Sequence, residues 1–194
     1  MKVAVIKYNA GNVASVVNAL TRLGVESLVT DDPESISKSD RVIFPGVGEA
    51  STAMRYLRER KLDKLIKTLT QPVLGVCLGM QLMCSSSEEN DTECLGIFST
   101  SARRLDVGQV KVPHMGWNTI SAVKTSLFEG VSEDSYVYFV HSYYLETTTD
   151  AIAISRYGVD FAAAIARSNF YAVQFHPEKS GTVGEQILGN FLNL

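Results

Sequence analysis

Nowhere in this 194-residue chain do its 18 Lys and Arg residues gather into a dense run, and Arg103-Arg104 is too short to count as one. With a formal net charge of −3, the sequence carries no electrostatic footprint for nucleic acid. It also lacks any apolar stretch near the roughly 18 residues that a membrane span needs. Residues 1–8 alternate in the manner of a strand, without the apolar core or small-residue cleavage site of a secretion signal. Cysteine is scarce and odd in number: Cys77, Cys84 and Cys94. In a chain with no secretion signal, that usage predicts reduced thiols in a cytoplasmic protein. Metal-ligand spacings are missing too. There is no CxxC and no HExxH, and His176-Pro177-Glu178 lacks the PCxxC that a zinc deaminase pairs with it, so no metal is expected.

What is present begins with 45% hydrophobic residues, enough to fill one substantial core, and the length suits a single domain over residues 1–194. Residues 1–8, 25–30, 41–44 and 72–76 read as strands. Apolar residues at helical spacing mark helices over 13–23 and 51–69, and the polar segment 31–40 has room for a short one. Strands and helices alternating at this length predict an α/β fold: a mostly parallel central sheet with helices on both faces. After a polar, looped stretch at 85–94, strands follow at 97–105, 136–146, 151–157, 161–167 and 171–175, with Ser168-Asn169 as a hairpin turn. These supply additional antiparallel strands, and residues 184–194 close the chain as a helix. Ligand chemistry in a parallel sheet gathers at the carboxyl ends of its strands.

One such end carries PVLGVCLGMQ, residues 72–81, where Gly75 and Gly79 flank Cys77 in the layout of a nucleophile elbow with sulfur in place of the hydroxyl. The glycines let strand and helix approach closely, so that the bend holds the thiol away from the sheet. The helix that begins at Leu78 aims its free N–H groups at Cys77, which should favour the thiolate. Without the paired glycines, a lone cysteine after a buried strand reads as inert core. Cys84, two turns further along the same helix, and Cys94, in a loop, read as structural.

A cysteine nucleophile needs a base, and His176 is the best placed of the three histidines. It follows the strand at 171–175, Pro177 fixes the backbone after it, and Glu178 can reach back to orient the ring. Taken alone, His-Pro-Glu is a surface turn. Beside the elbow it makes a Cys, His, Glu relay. Donors for a developing oxyanion would come from Leu78 N–H and from the loop Pro45-Gly46-Val47-Gly48 at the end of the third strand. That loop also invites a phosphate-binding reading, but GVG lacks the GxGxxG spacing.

On these residues the chain resembles the class I glutamine amidotransferases of the triad type, GVCLGMQ matching their nucleophile motif and FHPE at 175–178 their base motif. The resemblance runs over essentially the whole chain. It implies a glutaminase in which Cys77 attacks the side-chain amide of glutamine, His176 relays the proton to the leaving ammonia, Glu178 holds the imidazole, and water hydrolyses the thioester. It further implies that Gln81 and Glu89 hold the amino-acid end of the substrate, and that backbone at Gly48, His141, Ser142 and Tyr143 completes the pocket. No metal or organic cofactor is implied.

PGVGEA, PHMGWN, YFVHSYY and HPEKSG resemble, within that family, the glutaminases that serve histidine biosynthesis. The implied partner is a (β/α)8-barrel cyclase subunit that forms a heterodimer with the glutaminase. It takes up the ammonia to make imidazole glycerol phosphate and an aminoimidazole carboxamide ribotide. A Met-Gly-Trp-Asn turn exposing Trp117, the only tryptophan, suits an interface anchor, with core packing as the plainer account. The chain departs from the family pattern at Lys7 and Asn9, where an acidic residue and a glycine are common, and at Cys84-Ser85, where an aromatic-acidic pair is common. The rival readings are a stand-alone Cys-dependent hydrolase, a glutaminase subunit of another pathway, and a non-catalytic scaffold.

Overall fold

The computed structural model describes residues 1–194 apart from Asn9, Ala10, Val107 and Gln109. The first half runs β1 (Val3–Ile6), α1 (Val13–Arg22), β2 (Ser27–Thr30), α2 (Pro33–Ser37), β3 (Arg41–Phe44), α3 (Ala50–Glu59), α4 (Leu62–Thr68), β4 (Val73–Val76) and α5 (Leu78–Leu82). The second half runs β5 (Cys84–Ser87), β6 (Thr92–Glu93), β7 (Phe98–Arg104), β8 (His114–Ile120), β9 (Ser135–His141) and β10 (Tyr143–Leu145). It ends with β11 (Ala151–Tyr157), β12 (Val159–Arg167), β13 (Phe170–Val173) and α6 (Gly181–Asn193).

The central sheet has seven strands in the order β11-β12-β13-β4-β3-β1-β2. The pairs from β13 to β2 are parallel, and β12 and β11 extend the sheet antiparallel. Strands β1 and β4 are apolar and buried along their whole length because helices cover both faces. Side-chain alternation divides each strand between two cores. Ala4, Ile6, Val42 and Phe44 pack with Leu57 and Ile66 of α3 and α4 on one face, while Val3, Val5 and Ile43 pack with Leu20 of α1 and Leu188 of α6 on the other. A four-stranded sheet, β10-β7-β5-β6, and a β8-β9 ribbon flank this body.

The expected mostly parallel sheet with helices on both faces and added antiparallel strands is what the chain forms, and several boundaries differ in ways with physical causes. The expected helix over 51–69 is two: Lys61 adopts a left-handed backbone (φ 59°) between α3 and α4, with no Gly or Pro to announce the break. The polar segment 85–94 is partly strand, because its Ser and Thr residues pair in the second sheet through β5 and β6. Cys84 opens β5 and so lies beyond the five-residue elbow helix. The expected strand over 136–146 divides at Ser142, sending β9 to the ribbon and β10 to the four-stranded sheet. PHMGWN, from its second residue His114 on, lies in β8 and not in a turn: Gly116, at φ 137°, sits opposite Phe139 inside the pairing with β9.

Candidate functional site

The elbow at the end of β4 is strained. Cys77 has φ 52° and ψ −106°, a region that costs a non-glycine residue on the order of 1–3 kcal/mol and persists only where surrounding structure holds it. Three backbone bonds do so: Cys77 N–H donates to Val173 O at 2.8 Å, and Cys77 O accepts from the N–H groups of Met80 at 3.0 Å and Gln81 at 3.3 Å. Gly79 is obligatory here, since a Cβ would stand 1.9 Å from the carbonyl oxygen of Phe44. The thiol of Cys77 thereby lines a cavity of about 620 Å³.

Behind it stands His176, fully buried three residues past the end of β13, the strand paired with β4. Its Nδ1 lies 2.7 Å from Glu178 Oε1, and the intervening Pro177 opens a short 3-10 turn. The imidazole's backbone is pinned on both sides: His176 N–H donates to Tyr138 O at 2.8 Å, and Ser180 Oγ donates to His176 O at 2.6 Å. Burial works against the charged imidazolium, but the neighbouring Cys77 and then Glu178 outweigh it and raise His176 to about 10. His176 Nε2 makes no hydrogen bond of regular geometry, which leaves it free to exchange a proton on the Cys77 side.

Sequence reading passed over one member of this group. Asn12, at the end of the β1–α1 connection, donates through Nδ2 to Glu178 Oε1 and lies 3.5 Å from His176 Nδ1. Its position after a parallel strand was the available signal; its partner 166 residues away was not. The departure at Asn9 lies outside the described residues, and Lys7 continues β1 by donating its backbone N–H to Thr30 O at 2.8 Å.

The expected oxyanion donors meet each other instead of an open site. Leu78 N–H donates to Gly46 O at 3.3 Å, so the Gly46–Val47 peptide aims its carbonyl where a donor would be needed. Val47 O accepts from Gly11 N–H at 3.1 Å, and Gly48 takes φ 139°. Gly46 also has no room for a side chain, because a Cβ would lie 2.1 Å from the hydroxyl of Tyr8.

The remaining expected residues converge. Val47, Gly48, Leu78, Gln81, Glu89, His141, Ser142 and Tyr143 all line the Cys77 cavity; Gly46, His176 and Glu178 stand behind its wall. Arg104, Val112, Pro113 and Val140 line it as well and were not singled out from sequence. Gln81 Nε2 donates to Tyr143 O at 3.1 Å and to Gln174 Oε1 at 3.2 Å. Glu89 Oε2 accepts from Ala50 N–H at 2.7 Å, at the start of α3, and burial raises its carboxyl above the usual range. Cys84 and Cys94 are buried; burial pushes the Cys84 thiol well up and that of Cys94 to about 12. Among the described residues no group of three or more His, Cys, Asp or Glu could hold a metal ion, and no helix is long and apolar enough to cross a membrane.

A strained cysteine in a cavity, backed by a carboxylate-held imidazole, is the equipment of acyl transfer through a thioester. Known proteins agree at the level of family. Residues 4–194 match the model of the glutamine amidotransferase class-I family. The chain is 58% identical to an imidazole glycerol phosphate synthase subunit HisH of Bacteroides fragilis and 55% identical to that of Bacteroides thetaiotaomicron, each over 100% of both chains. It is 48% identical to the HisH subunit of Shewanella oneidensis, covering 99% of this chain and 96% of that one. Among solved structures, a glutamine amidotransferase matches with a TM-score of 0.76 at 18% identity, covering 98% of this chain and 97% of that one. A chain of PurLQS from Thermotoga maritima matches at 0.75 and 16% identity, covering 99% and 97%. The chain belongs to the class-I glutamine amidotransferase family.

Proposed function

We propose that this chain is the glutaminase subunit of imidazole glycerol phosphate synthase, folded as one amidotransferase domain and working in the cytoplasm. The observation that carries the reading is Cys77 itself, held in a strained elbow at the cavity wall with the His176–Glu178 pair behind it. Full-length identity to named HisH subunits supports the pathway.

Cys77 Sγ attacks the side-chain amide carbon of glutamine. His176 Nε2 delivers the proton that lets ammonia leave, while Glu178, with Asn12 against it, holds the ring. Water then attacks the thioester with His176 as base, giving glutamate and restoring the thiol. Gln81 and Glu89 receive the amino-acid end of the substrate, beside backbone at Gly48, His141, Ser142 and Tyr143. The oxyanion is met by Leu78 N–H and Val47 N–H once the Gly46–Val47 peptide turns over.

The ammonia passes to a (β/α)8-barrel cyclase subunit paired with this chain in a heterodimer. There it forms imidazole glycerol phosphate and an aminoimidazole carboxamide ribotide. Free ammonia released without an acceptor is wasted glutamine, and the Gly46 carbonyl on Leu78 N–H is the arrangement of an idle enzyme. Losing one oxyanion donor costs ~10²–10³ in rate. Glutamine turnover by the purified chain should therefore rise by about that factor when the cyclase and its nucleotide substrate are added. Equal rates with and without them would favour a stand-alone hydrolase.

A further inference from the structure

His114 and His141 face each other across the β8–β9 ribbon as a register pair, both buried. His114 does not touch the Cys77 cavity; its ring lies between Tyr157, 3.9 Å centroid to centroid at 16°, and Phe139, 4.9 Å at 21°. Its Nδ1 is 3.0 Å from His141 Nε2, and His141 Nδ1 is 2.8 Å from the carbonyl oxygen of Tyr143. At the far end, Asn118 Nδ2 is 3.4 Å from His114 Nε2.

The direction of every bond in this chain follows from its ends. A carbonyl only accepts, so His141 Nδ1 must carry its proton toward Tyr143 O. Asn118 Oδ1 accepts from Thr119 N–H at 2.8 Å, which fixes the amide orientation and makes Nδ2 the donor to both Arg156 O, at 2.9 Å, and His114 Nε2. His114 is then protonated at Nδ1 and donates to the bare Nε2 of His141. One proton on each ring satisfies the whole chain, and both rings are neutral. Burial acts in the same sense, lowering His114 to about 4 and His141 to about 3.

The last link is the functional one. The Tyr143 carbonyl that His141 holds also receives the side-chain amide of Gln81, and Tyr143, Gln81 and Ser142 all line the cavity. We propose that His114 is a positioning residue: by donating to His141 Nε2 it anchors that ring from the side away from Tyr143 O, and through it holds the Tyr143 carbonyl and Gln81 on the wall of the substrate cavity. Without that donor, Nε2 of His141 is a buried acceptor with no partner and the ring loses one of its two anchors, so its bond to Tyr143 O loosens. The structural half of this inference stands on geometry alone; its kinetic half rests on the glutaminase reading.

The chain has three histidines, so ¹⁵N-histidine labelling of the full-length protein gives a readable spectrum. At pH 7 His114 and His141 should both be neutral and protonated at Nδ1, the minor tautomer of a free histidine. His114→Phe keeps the stacked ring and removes the donor; His141 should stay protonated at Nδ1, held by Tyr143 O, while its Nε2 resonance moves to that of an unbonded ring nitrogen. His114→Asn, whose side-chain N–H replaces the ring Nδ1–H, should restore the resonance of a bonded Nε2. In the complex with the cyclase, His114→Phe should raise KM for glutamine about tenfold, as for one lost buried hydrogen bond, with kcat changing far less and His114→Asn recovering much of the loss. Synthesis from added ammonia should not change. Nε2 protonation of His141 in the unaltered protein, which is read even where the Phe variant fails to fold, would overturn the proposal, as would an unchanged KM in a folded His114→Phe. No glutamine turnover by the unaltered complex would instead refute the glutaminase reading and leave the tautomers to decide the structural half.

Discussion

Two sets of buried imidazoles are tuned in opposite directions. His176 is raised to about 10 because burial is outweighed by Cys77 and Glu178, whereas burial lowers His114 to about 4 and His141 to about 3. An unfolded histidine titrates near 6.5. The raised His176 therefore adds stability that is complete below about pH 6.5 and is lost as pH climbs through about 10. For the lowered pair the unfolded chain binds the protons first, so stability is complete above about pH 6.5 and falls as pH drops toward about 3. Urea midpoints should accordingly peak close to neutral pH. His176→Asn should flatten the alkaline limb and His114→Asn the limb between pH 6.5 and 5, where carboxylates with lowered values such as Glu49, at about 2, do not yet titrate. A His114→Asn curve parallel to that of the unaltered chain between pH 6.5 and 5 would contradict the assignment.

In the proposed mechanism, the element on which activity turns is the loop between β3 and α3. Gly48 sits at φ 139°, which proline, fixed near −65°, cannot reach, and a proline there would also remove a backbone N–H from a residue that lines the cavity. Gly48→Pro should cost the complex most of its ~10²–10³-fold stimulation by partner and acceptor while synthesis from added ammonia continues. Stimulation of unaltered size would place the switch elsewhere. This loop, like the elbow and the His-Pro-Glu turn, was legible in the sequence because glycine and proline fix local geometry without reference to the rest of the chain. Asn12 was not legible, since its contact with Glu178 exists only because the carboxyl ends of β1 and β13 point the same way in the folded sheet. Lys61 was missed for the opposite reason: a left-handed lysine carries no compositional mark. PHMGWN misled as a turn because Gly116 and Pro113 resemble turn residues, whereas the cross-strand partners in β9 that make it a strand lie about 20 or more residues away.

Across the whole molecule, the β8–β9 ribbon joins the cavity to the outside. Its inner side carries His114, Phe139 and His141; its outer side exposes Met115 (62%), Trp117 (55%) and Tyr136 (62%), with Trp117 edge-on to Tyr138 at 5.9 Å. Apolar side chains that open to solvent on one face of a two-stranded ribbon fit a surface completed by another subunit. Trp117→Ala should weaken the complex by about 2 kcal/mol or more while the free chain keeps its melting behaviour, as for a central aromatic anchor. Unchanged binding would place the anchor elsewhere; the core-packing account is already excluded by the exposure of Trp117.

The account as a whole depends on Cys77 being the residue that takes the acyl group from glutamine while the acceptor chemistry belongs to the partner. The most direct test compares the cyclase complex of the Cys77→Ser variant with that of the unaltered chain, supplied in turn with glutamine and with ammonia. The account predicts that glutamine-driven synthesis falls to background and that ammonia-driven synthesis proceeds at the unaltered rate. Glutamine-driven synthesis that survives the substitution would contradict it.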